Sequence, residues 1–151
     1  MQMIEPDLFG GIAPWLMRFS FILKVILVAD AAFLGIVFLQ SSLDKLINFS
    51  SNRAYFSETF AKTFLKSAPG LLLIGMTCIE LSAGITLNVS IINVLITGEV
   101  QLFFYAFVLA ALAFLMLIFG LRISKQYAAA ASLTGYFLLV LFGMMALALL
   151  R

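Results

Sequence analysis

The stretch Gln40-Ser41-Ser42-Leu43-Asp44-Lys45-Leu46, with the mixed aromatic and charged run that follows it to Pro69, decides how the chain is organised. An apolar run ends there and gives way to polar, basic and aromatic residues, and Pro69-Gly70 opens the next apolar run. The sequence on either side is hydrocarbon-like. Of 151 residues, 64% are hydrophobic and only 11% are charged, against roughly 25% charged in a soluble domain. One soluble core cannot hide that much apolar surface. A bilayer core of about 30 Å instead asks for runs of about 20 apolar residues, and the chain supplies several.

Composition also excludes several kinds of chemistry. Cys78 is the only cysteine and histidine is absent, so this chain alone cannot form an intrachain disulfide, a dithiol redox pair, or His-ligated haem or zinc. No metal site is expected. A net charge of +2 is too small, and too confined to membrane flanks, for a nucleic-acid partner. The sequence Met1-Gln2-Met3-Ile4-Glu5-Pro6-Asp7 is acidic where a cleavable signal peptide is basic, so the first span is expected to direct insertion.

In chain order, Pro6 and Pro14 discourage an early helix and Trp15 suits an interface. The first span is predicted over 16–43, with Arg18 and Lys24 placed to snorkel. Asn48-Phe49-Ser50-Ser51-Asn52-Arg53 forms a polar turn. An amphipathic helix is predicted over about 52–66, because Phe56, Phe60 and Phe64 recur every four residues while Arg53, Glu58, Lys62 and Lys66 fall elsewhere on the wheel. It is expected to lie on the membrane, presenting Phe56, Phe60, Phe64, Lys62 and Lys66 to lipid or a partner; packing on the bundle is the alternative. Further spans are predicted over 70–92, 100–120 and 127–150, with a polar loop at 93–99 and a basic turn at 121–126. Ala128, Ala131, Ser132 and Gly135 give the last span a small-residue face, expected to pack against a neighbouring helix. The fold class is therefore an all-α membrane protein: a single domain, 1–151, of four transmembrane helices with an interfacial amphipathic helix between the first and second.

Lys45, Arg53, Lys62, Lys66, Arg122 and Lys125 fall on one side of this topology, and Arg18, Lys24 and Arg151 on the other. The positive-inside rule then places loops 44–69 and 121–126 in the cytoplasm and both termini outside.

The chemistry candidates are Asp30, Glu80 and Lys45. An acid in hydrocarbon is costly, so intramembrane acids pair, share a proton or serve function. Measured from Asp44 and Pro69, Asp30 and Glu80 lie at depths of roughly 21 and 16 Å, near enough to meet as a proton relay or to hydrogen-bond a quinone carbonyl. The plainer alternative is that each acid ties helices together through a polar neighbour. Lys45 could hold Asp44, a headgroup or a substrate anion, or simply snorkel. Cys78, in apolar surroundings, reads as packing.

The residues Leu43-Asp44-Lys45-Leu46, the short amphipathic helix, and Glu80-Leu81-Ser82-Ala83-Gly84-Ile85-Thr86-Leu87 together resemble the DoxX-like family of small four-helix membrane proteins over about residues 20–90. Ser42 stands where that family has glycine. Gly120-Leu121-Arg122 resembles its basic turn but comes one helix later. The resemblance implies a four-helix membrane fold in a bacterial inner membrane. Some members are subunits of thiosulfate:quinone oxidoreductase, and others are linked to thiol-redox complexes or methylamine dehydrogenase maturation.

Two functions follow as expectations. One is a non-catalytic accessory subunit of a larger respiratory or redox membrane complex, binding no cofactor by itself and with lipid as its other partner. The alternative is a quinone-linked oxidoreductase subunit for thiosulfate or thiol oxidation, in which Asp30, Glu80 and Lys45 handle protons or an anion. The chain is not expected to be catalytic alone, and a homo-oligomer is the other assembly open to it. A transporter is a third and weaker reading, since four unbroken spans would have to oligomerise to form a path.

Overall fold

The computed structural model describes residues 12–150. Among them are five helices, α1 (Ile12–Ile47), α2 (Phe49–Phe60), α3 (Pro69–Thr97), α4 (Gln101–Ile123) and α5 (Tyr127–Leu149). Four of these, all but α2, are long and apolar enough to cross a membrane. The chain is thus a multi-pass membrane protein in contact with lipid. α1 packs on α3, α3 on α4, α4 on α5, and α5 back on α1, closing an up-down-up-down ring.

Helix limits follow local chemistry. Pro14 falls in the first turn of α1, where its missing N–H has no intrahelical partner in any case, so the helix begins earlier than predicted. The expected lead at 1–11 and Arg151 lie outside the described residues. α1 breaks only at Asn48, whose amide donates to the Asp44 carboxylate at 2.8 Å; Asn52 in turn donates to the Asn48 carbonyl. α3 runs on through Asn93, past its predicted end. It stops at Gly98, which has φ 75°, a left-handed conformation that only glycine adopts without cost. Polar residues inside α3 are satisfied within the helix: Thr77, Ser82, Thr86 and Ser90 each donate back one turn at 2.7 Å. Such local bonding answers the requirement that polar groups in lipid find partners in the protein.

α1 and α3 keep one antiparallel register along their length. Ser41 faces Glu80, Leu39 lies on Gly84, Gly35 on Asn88, and Lys24 donates to the Gly98 carbonyl at 3.1 Å. Gly84 permits the close approach, since a Cβ there would stand 3.1 Å from the Leu39 backbone nitrogen. Lys24 therefore finishes the end of α3 rather than reaching for headgroups. The core joins Leu27, Leu34 and Phe38 of α1 to Leu87, Phe107, Phe114 and Val140. Phe38 and Phe114 have ring centroids 4.7 Å apart, and Tyr136 stacks on both Phe33 and Phe114.

α2 lies across one end of the ring. Tyr55 donates to the Gln126 amide oxygen at 3.2 Å, the Gln126 amide reaches Thr59 at 3.5 Å, and Phe60 sits against Gly120. The helix ends at Phe60, six residues before its predicted end, because Thr63 donates to the Phe60 carbonyl and accepts from the Leu65 N–H, competing with the helical ladder. This moves the expected aromatic face. Phe60 is buried and Phe56 half-buried, both turned toward the bundle, while Phe64 lies in the irregular turn at 72% exposure. Lys62 and Lys66 are exposed. The amphipathic helix thus packs on the bundle with Phe56 and Phe60 inward.

The small-residue face of α5 is not covered by a helix of this chain. Ala128, Ala131, Ser132 and Gly135 are all exposed, Ser132 beside the cavity described below, and a Cβ on Gly135 would meet nothing within 4 Å. The small residues that admit neighbours are Ala130 and Gly143.

Candidate functional site

One turn before α1 breaks, Ser41 and Lys45 stand on the same helix face and look across at Glu80, in the second half of the first five turns of α3. Lys45 Nζ lies 2.7 Å from Glu80 Oε2, the ion pair among the described residues. The same ammonium donates to Ser41 Oγ at 2.6 Å and to the Ser41 carbonyl at 3.4 Å, and the Ser41 hydroxyl donates to Glu80 Oε2 at 3.2 Å. Glu80 is fully buried and the Lys45 side chain is 13% exposed. The second carboxylate oxygen, Oε1, is buried and has no hydrogen-bond partner.

This cluster forms the polar end of a cavity of about 640 Å³ beneath α2. Phe56 and Phe60 of α2, Leu72 and Met76 of α3, Met116 and Leu117 of α4, and Ala129, Ser132 and Leu133 of α5 line it, and it is open on one side. The methionines give it an adaptable lining. A cleft of this size, apolar with a few convergent polar groups, has the build of a site for a small or amphiphilic molecule.

Asp30 and Glu80, near enough to meet by the depth count, stand apart. Glu80 is level with Ser41, whereas Asp30 lies eleven residues earlier on α1, roughly 16 Å along the axis. Asp30 packs against Gly143 and the Phe107 ring on the α4–α5 side, and neither of its oxygens has a hydrogen-bond partner. Asp44 and Pro69 do not lie at one depth, as equal counting from the two would require. The contacts bring Glu80, eleven residues into α3, beside Ser41, only three residues from Asp44. The partner of Lys45 is neither Asp44 nor a headgroup but the acid of the next span, Glu80. Asp44 instead accepts from Asn48. Ser41, not among the predicted site residues, joins the site because its place four residues before Lys45 puts the two on one helical face.

Cys78 is exposed on the outer side of α3, turned away from Glu80 despite standing two residues from it. Cys78→Ser is expected to leave thermal stability in detergent within about 0.5 kcal/mol of wild type, as surface substitutions do. A larger loss would mean that the thiol is packed. No group of His, Cys, Asp and Glu that could hold a metal occurs among the described residues.

Comparison with known proteins finds no matching family model, no similar curated protein and no similar solved structure. Fold and site together define a multi-pass, four-helix membrane protein with a capped amphiphilic cavity. The particular activity is argued from that cavity.

Proposed function

We propose that this chain is a membrane-embedded binding subunit, holding the head of a lipid-soluble molecule of the quinone or quinol class in the cavity beneath α2. The observation that carries the reading is a buried Lys45–Glu80–Ser41 cluster at the end of an otherwise apolar chamber. Burying two charges in a membrane protein is costly. A structural tie between α1 and α3 would need no cavity beside it. The resemblance to DoxX-like proteins supports the same reading, because the residues that carry it, Lys45 and Glu80, are the two that pair. Thiosulfate or thiol oxidation would then take place with a partner. Arg53, Lys62, Lys66, Arg122 and Lys125 are exposed at the α2 end, which supports a cytoplasmic cap in a bacterial inner membrane with residues 12 and 150 toward the outside.

A second reading, an accessory subunit of a larger redox assembly, is favoured by the outward small-residue face of α5, from Ala128 to Gly135, which would admit a close-packed helix. Mild-detergent purification, native mass spectrometry and an absorbance spectrum test both. The binding reading predicts one quinone-type molecule per chain in wild type, and at least tenfold weaker retention in Ala129→Trp, which fills the cavity at unchanged thermal stability. A stoichiometric large partner with an empty cavity would favour the accessory reading and overturn the first.

A further inference from the structure

The hydrogen-bond inventory of the cavity says what kind of head it can accept. An ammonium has three donors and a serine hydroxyl has one. All three Lys45 donors are taken, by Ser41 Oγ, the Ser41 carbonyl and Glu80 Oε2. The Ser41 hydroxyl is spent on the same carboxylate oxygen. Across the chamber, Asn52 donates to the Asn48 and Asp44 carbonyls, Tyr55 to Gln126, and Ser132 to the Ala129 carbonyl. Thr59 keeps a hydroxyl proton, at the α2 wall. What is left without a partner at the polar end is an acceptor: Glu80 Oε1, fully buried in a residue that lines the cavity, so a donor reaches it only by a small shift of its neighbours. A buried acceptor left without a donor is costly, most of all on a charged group. A ligand that brings a donor recovers that cost.

We infer that the cavity selects an uncharged amphiphile whose head carries an O–H or N–H donor, such as a phenol, a quinol or a long-chain alcohol, with Glu80 Oε1 as the acceptor. An anionic head finds the Lys45 charge already neutralised and meets a second negative charge at Glu80. An acceptor-only head meets a lone pair where it needs a proton. The inference rests on the reading that the chamber holds an amphiphile, and it decides which member of a redox pair would stay longer: the reduced, hydroxyl-bearing one.

The test compares three probes with one tail, para-dodecylphenol, para-dodecylanisole and para-dodecylbenzoate, by equilibrium binding to the full chain in lipid nanodiscs. Empty nanodiscs are subtracted as background. The phenol is expected to bind at least tenfold more tightly than the anisole, and the benzoate more weakly still. Glu80→Gln replaces one acceptor with a donor, and in it the phenol-to-anisole ratio is expected to fall toward one. The wild-type series stands as a test even where that variant does not fold. Equal binding of phenol and anisole, or preference for benzoate, overturns the inference and leaves the amphiphile reading intact. No saturable binding of any probe overturns both.

Discussion

Replacing Lys45 by Met is expected to cost about 3–5 kcal/mol, the loss seen when one partner of a buried ion pair is removed and the other charge is left alone. Glu80 would retain only the Ser41 hydroxyl on Oε2, in a position that is fully buried. A methionine matches the lysine stem in length, so the loss would come from the stranded carboxylate and not from a void. The double variant Lys45→Met, Glu80→Met should regain most of the stability, because an apolar pair at a buried site is often as stable as the ionic one. Thermal unfolding of wild type, both single variants and the double closes the cycle. A single variant as stable as wild type would show that the pair is solvated and contributes nothing to the fold. A double variant no better than the single would show that the site needs charge for folding, against the view that the charges are kept for a ligand.

The second large effect is expected at Gly143, where α1, α4 and α5 meet. A Cβ there would collide with the Asp30 carboxylate and the Phe107 ring. Phe107 is itself buried without exposure in the core, so the ring has nowhere to retreat. Gly143→Ala should lose about 1–3 kcal/mol by overpacking. Gly135→Ala, eight residues earlier on the same helix, should be neutral to within about 0.5 kcal/mol, because nothing lies near that position. Equal effects at the two glycines would contradict the placement of α5.

These glycines also show what a sequence can and cannot reveal about such a bundle. That four spans and a short amphipathic helix exist, in that order, follows from run length and from the polar interruption at Asn48, while the limits of α1, α2 and α3 shift because caps and local hydrogen bonds set them. The direction each helix faces did not follow. In a soluble protein the apolar stripe marks the inside, but here lipid and protein neighbours are equally apolar, so Gly135 facing out and Gly143 facing in carry the same letter. Phe56 and Phe60 were recognisable as one face of a helix, yet membrane and bundle would both accept that face. The site was half-visible. Lys45 and Glu80 stood out as charges in a greasy chain, while their pairing depends on the register between α1 and α3, which close contacts such as Leu39 on Gly84 set. The same register separates Asp30 from Glu80.

The central claim, a ligand chamber under α2 with its polar end at Lys45 and Glu80, is tested most directly by an experimental structure of the protein extracted with its native lipids. The account predicts elongated density entering the chamber between Phe60, Met76 and Met116, with its head within hydrogen-bonding distance of Glu80 Oε1. A chamber closed by inward collapse of α2, or Lys45 and Glu80 found apart with each facing lipid or water, would contradict it.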